Sequence, residues 1–75
     1  MARLRLFANL RELAGQSVVD VEGETVGAVL EQAADDFGDQ FRRSMARARV
    51  WINGEPASAE DAVGKDDEIA LIPPV

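Results

Sequence analysis

Between Thr25 and Gly38 the apolar residues fall at Val26, Val29, Leu30, Ala33 and Phe37, a spacing of i, i+3, i+4, i+7 and i+11 that lays one apolar stripe along an α-helix. Thr25 is suited to cap the first turn with its side chain, and Gly38 to end the last one. This is the one stretch of helical period long enough to form a main helix. The remaining apolar runs alternate with period two, so they read as strands with one face to bury, and that helix is what covers it.

From Ala2 to Ala8, Leu4 and Leu6 look one way while Arg3, Arg5 and Phe7 look the other. "NLRELAGQ" interrupts the alternation, with Gly15 supplying turn freedom, and "SVVDVEG" resumes it with Val19 and Val21 inward. Two strands joined by so short a link read as a hairpin. After the helix, residues 39–48 read as a connecting helical turn with Phe41 and Met45 as core fillers. In "RARVWINGEPA" Val50 and Ile52 oppose Arg49, Trp51 and Asn53, and Asn53-Gly54 is a strong tight-turn signal that predicts a brief return strand over 55–57. "SAEDAVGKDDE" is polar and turn-rich, and a final strand begins at Glu68, with Ile69 and Leu71 alternating against Ala70 and Ile72. The expected architecture is an α+β roll over residues 1–75. It has a mixed sheet of four to five strands and one main helix packed on one face.

A chain of 75 residues is near the lower size at which one apolar core holds without staples. With neither cysteine nor histidine, it offers no disulfide, no thiolate metal site, no thiol nucleophile and no imidazole base, so self-contained catalysis is not expected. Fourteen acidic residues against 8 basic ones give a charge of −6, which argues against a phosphate-backbone partner. Arg42, Arg43, Arg47 and Arg49 form a local basic cluster. It can hold an anion or an acidic protein surface, or balance Asp35, Asp36 and Asp39. No apolar run approaches the roughly 20 residues of a membrane span, and "MARLRLFANL" lacks the core of a signal peptide, so the expected location is the cytoplasm.

Strand parity places Phe7, Trp51, Ala70 and Ile72 on the face away from the helix. Beyond Ile72 come Pro73, Pro74 and Val75. The two prolines have φ fixed at about −65° and no N–H, so the chain leaves its sheet as a stiff extended stub. An apolar patch with a stub beside it is the layout of a protein that brings its own C-terminus to another protein.

"LFANLRELAG", "TVGAVLEQ", "VWINGEPA" and "DDEIALIPPV" together resemble the ubiquitin-like sulfur carriers of the MoaD/ThiS family, and within it most closely the small subunit of molybdopterin synthase. The resemblance implies a β-grasp fold and a carrier cycle. In that family the tail continues to Gly-Gly, and an E1-like adenylating enzyme activates its carboxylate with ATP and Mg. A sulfurtransferase then makes the thiocarboxylate, and the large subunit uses that sulfur to build molybdopterin. The small protein itself would hold no cofactor and no metal, and the catalytic side chains would be its partners'. The docking residues implied here are Phe7, Arg11, Trp51, Pro56, Ala70, Ile72, Pro73, Pro74 and Val75; Arg11 reads equally as a surface arginine paired with Glu12. The sequence departs from the family pattern in having no Gly-Gly after Val75. As written it would dock without being charged with sulfur. Other readings are a sulfur carrier of thiamine or cysteine synthesis, a protein modifier for which Lys65 is the only lysine on which to build chains, and a non-carrier β-grasp interaction module.

Overall fold

The computed structural model describes residues 1–74; Val75, the last position of the expected stub, lies outside the described residues. In chain order the elements are β1 (Ala2–Leu6), α1 (Ala8–Ala14), β2 (Val18–Val21), α2 (Val26–Phe37), α3 (Asp39–Met45), β3 (Arg49–Ile52), β4 (Glu55–Pro56) and β5 (Glu68–Ile72). The sheet runs in the order β2-β1-β5-β3-β4. Strands β1 and β5 are parallel at its centre, and every other neighbouring pair is antiparallel. No helix among the described residues is long and apolar enough to cross a membrane.

Burial follows the alternation. Ala2, Leu4 and Leu6 of β1, Val21 of β2, and Ile69 and Leu71 of β5 are buried against Val26, Val29 and Ala33 of α2. Val19, Leu30, Phe37, Val50 and Ile52 pack at the rim of the same core, partly exposed. Helix α2 begins and ends where the sequence predicts. Thr25 Oγ1 accepts from the Ala28 N–H at 3.1 Å, and the Gly38 N–H donates to the Ala34 carbonyl. Two more N–H groups of its first turn, on Val26 and Gly27, donate to the carbonyls of Asp61 and Ala59. The polar loop after β4 therefore satisfies the helix end that a buried terminus would otherwise leave open. The approach is close: a Cβ at Gly27 would lie 3.1 Å from the Ala59 oxygen, so a side chain there would have to push the loop back slightly. At the β3–β4 turn, Asn53 and Gly54 both take positive φ, 49° and 84°, as a two-residue type I′ hairpin loop requires.

The connection between the first two strands corrects the sequence reading. Strands β1 and β2 do pair antiparallel, with Leu4 opposite Val19, but the link between them is the seven-residue helix α1 and not a bare turn. The chain leaves the extended conformation of Phe7 through Ala8 at φ 51° and closes the helix at Gly15, φ 78°, whose N–H donates to the Arg11 carbonyl. The reason is tertiary. Leu10 is 0% exposed, and two short helices, each too brief to stand alone, gain their stability by packing on the core and on each other. Phe41 of α3 is likewise fully buried, with its ring 5.1 Å from that of Phe37. Three helices therefore cover the inner face, with α2 the longest.

Leu10→Ala should cost ~2–5 kcal/mol of stability by opening a cavity. Leu13→Ala, on the exposed side of the same helix, should change it by no more than ~0.5 kcal/mol. Urea unfolding of the two variants checks the placement of α1, and equal losses would contradict it.

Candidate functional site

The sheet face away from the helices can be assembled from the strand register. Val18, Arg5, Ala70, Trp51 and Pro56 stand opposite one another, one per strand, in a single row across all five strands. In the next row, toward the end where the chain leaves, Ile72 is opposite Arg49. Phe7 follows Leu6, whose partner is Leu71, so it flanks Ile72 on the other side. In the row toward the opposite end, Asp20, Arg3 and Glu68 are aligned. The face thus has an apolar half beside the tail root and a charged half away from it.

All four residues that strand parity placed outward are there. Phe7 and Ile72 are 39% and 41% exposed, and Trp51 and Ala70 are half-buried. They form one patch because β5 lies between β1 and β3: Ala70 abuts Trp51, and Ile72 bridges toward Phe7. Pro56 extends the patch beside Trp51. Pro73 is half-buried and Pro74 exposed, directly past Ile72. Arg11 is exposed on α1, outside these rows, and among the described residues it has no ion pair with Glu12 or any other group.

The sequence reading set Arg5 on the same face as Phe7, and Val18 opposite the inward Val19 and Val21, but named neither among the docking residues, because their place in this row depends on knowing which strands are neighbours. It also treated the four arginines of residues 42–49 as a cluster, and the fold divides them. Arg42 binds Glu31 at 2.7 Å and Asp35 at 2.8 Å, tying α3 to α2, and Glu31 foremost raises its pKa. Arg43 lines an open groove between α1 and α3 with Asn9, Glu12, Leu13, Gln40 and Ser44. Arg49 stands on the outer face beside Ile72 and Trp51.

Polar contacts fix where β5 starts and hence where the tail ends up. Arg5 donates through Nε and Nη2 to the two carboxylate oxygens of Glu68, at 3.1 and 3.3 Å. These bonds hold the Glu68 carboxyl below its usual range and the Arg5 guanidinium above its own. Asn53 accepts from the Glu68 N–H and donates to Asp67, both at 2.9 Å, while the Gly64 N–H donates to Asp67 at 2.7 Å. The Gly64 bond, then that of Asn53, lowers the Asp67 pKa. The arrangement offers no nucleophile–base pair. What it can do is seat a partner on the apolar half and hold the departing chain in a fixed place beside it.

Residues 4–75 match the ThiS family over nearly the whole chain. The chain belongs to that family. It is 38% identical to small archaeal modifier protein 1 of Haloferax volcanii, over 95% of this chain and 93% of that one. The solution structure of the protein of the same name from Methanosarcina acetivorans is 27% identical, with a TM-score of 0.90 over 99% of this chain and 92% of that one. A putative molybdopterin converting factor subunit 1 from Pyrococcus furiosus shares the fold at 22% identity, with a TM-score of 0.85 over 99% and 97% of the two chains. The β-grasp expectation is therefore met, and this ThiS-family chain sits among ubiquitin-like modifiers and sulfur carriers.

Two outcomes follow from the face. Phe7→Ala and Ile72→Ala should leave unfolding midpoints near that of the wild type while weakening a partner by ~1–3 kcal/mol each, as truncated anchors do; calorimetric titration with the activating enzyme measures it. The lowered carboxyls carry a pH signature. Their stabilisation is complete above the unfolded-state carboxyl range and is lost as pH falls through the lower folded-state values. Glu68→Gln should accordingly flatten the acid-side loss of stability expected of the wild type, and parallel urea midpoints against pH would rule out a contribution from this pair.

Proposed function

We propose that this ThiS-family protein is a carrier that presents its own activated C-terminus, serving as the sulfur-carrying small subunit of a molybdopterin synthase in the cytoplasm. The observation that supports this best is the apolar half-face of Phe7, Ala70, Trp51 and Ile72, from whose rim the chain departs at Pro73. A partner seated there meets the tail root at a defined position. The reaction needs this division of labour, because a carboxylate is a poor acyl donor until AMP gives it a leaving group, and that step belongs to an adenylating enzyme with Mg-ATP. A sulfurtransferase then converts the acyl adenylate to the thiocarboxylate, whose sulfur passes to the pterin on the large subunit. The carrier supplies docking energy and placement, with Pro73 and Pro74 lowering the entropy lost when the arm enters a channel.

A second reading, a protein modifier joined to lysines of its targets, is favoured by the 38% identity to a small archaeal modifier protein. It uses the same face and the same activation, and differs only in the group that attacks the activated terminus.

The test compares the 75-residue chain with a version continued past Val75 by Ser-Gly-Gly. With the E1-like enzyme, Mg-ATP and a sulfur source, mass spectrometry should show the extended version adenylated and then ~16 Da heavier, the exchange of oxygen for sulfur that covalent carriage requires. With the large subunit it should then support molybdopterin formation, while the 75-residue chain binds and does neither. Attachment to lysines in place of sulfur gain decides for the modifier reading. Failure of any adenylation leaves a docking module and overturns both.

A further inference from the structure

The charges of the outer face do not follow those of the chain. The protein carries −6 overall, yet the strand positions of this face hold three arginines, Arg3, Arg5 and Arg49, against two carboxylates, Asp20 and Glu68. Two of the arginines have carboxylates beside them on the face. Arg5 is bound by both oxygens of Glu68, and Arg3, which makes no ion pair among the described residues, stands between Asp20 and Glu68 in the register. Arg49 has none in its row. It is exposed, its cross-strand neighbour is Ile72 and its neighbour along the strand on this face is Trp51, and among the described residues it makes no side-chain hydrogen bond or ion pair. The one strand arginine of the face with no carboxylate beside it therefore stands inside its apolar half, beside the tail root.

That position constrains whatever covers it. A partner that buries Ile72 and Trp51 must also take the Arg49 guanidinium out of water, and an unpaired buried guanidinium is among the most costly groups an interface can contain. Its planar fork is matched by a carboxylate, which it can hold through two parallel N–H bonds. A broadly acidic partner would be repelled by a chain of charge −6, so the requirement is local. We infer that the protein surface docking on this face is mainly apolar and carries one aspartate or glutamate placed opposite Arg49, next to the entrance that receives the tail. This rests on the docking reading above and adds to it the chemistry of the partner.

The probe is the E1-like adenylating enzyme of the same genome, and the 75-residue chain serves as it is. Arg49→Glu should weaken binding by ~30-fold or more, since it sets two carboxylates against each other, and Arg49→Ala by ~10-fold. Thermal melts confirm that both variants fold. Arg49→Lys supplies a primary amine at the same place, and the chain's single natural lysine, Lys65, lies beyond the opposite end of β5. A water-soluble carbodiimide should then join position 49 to an acidic side chain of the enzyme, which peptide mass spectrometry identifies. If Ile72→Glu abolishes binding while both Arg49→Ala and Arg49→Glu bind as the wild type does, the inference is wrong and the docking reading stands. If Ile72→Glu also binds unchanged, the docking reading falls with it. Linkage from position 49 to a carboxylate on a second copy of this chain would overturn the inference in favour of self-association.

Discussion

The strand that comes last in the sequence lies in the middle of the sheet, and the rest of the molecule depends on that. Strand β5 pairs with β1 on one side and β3 on the other, and its Ile69 and Leu71 are among the fully buried residues under the helices. Until those residues are in place, β1–β2 and β3–β4 are separate antiparallel pairs, and a two-stranded pair is marginal in water. The core therefore closes on the chain's final residues. The same constraint determines where the tail emerges: it leaves the end of the middle strand, at the rim of the outer face, with Phe7 to one side and Arg49 to the other. A one-residue slip of β5 would turn Ile69 and Leu71 outward and move the tail root. Asn53, Asp67, Glu68 and Arg5 hold the start of the strand against that slip.

The two sides of these strands differ in kind: one carries the apolar core, the other an apolar half beside a charged one. The interior contains no buried polar or charged residue among those described, so folding rests on apolar packing and on the backbone ladders. Several carboxylates hold turns, as Asp61 does with Ser58 and Asp67 with Gly64, and others make exposed ion pairs such as those of Glu31 and Asp35 with Arg42, which screening by water keeps weak. On the outer face the chain's acidic balance is reversed, with three strand arginines against two carboxylates.

How much of this the sequence disclosed depended on the length of each element. Helix α2 was legible from cap to cap because twelve residues give the period time to repeat, and β3 because Asn53-Gly54 fixes the end of its alternation. Helix α1 was not, since seven residues with Leu10 as the only buried side chain cannot display a helical stripe, and what makes them helical is contact with α3, far away in the chain. The outer face was half legible. Parity told which way Phe7, Trp51, Ala70 and Ile72 point, but their adjacency requires β5 between β1 and β3, and no local signal records strand order. For the same reason Arg49 read as one of four clustered arginines, when space separates it from Arg42, which is neutralised, and puts it beside Ile72.

The ends of the neighbouring strands explain why the sheet stops at Ile72. Past the Ile72–Arg49 pair, β3 has no further strand residue to offer, and past Leu6 the partner chain turns at Phe7 and Ala8 into α1. The ladder runs out on both sides at once. Residues that could still donate would be prone to pair with another edge, in a second copy or within the same sheet. Pro73 and Pro74 have no N–H to give, so the chain cannot extend β5 or zip onto a neighbour's edge. The helix α1 that interrupts the first two strands and the two prolines that follow β5 have the same effect: each stops the sheet at the level of Ile72.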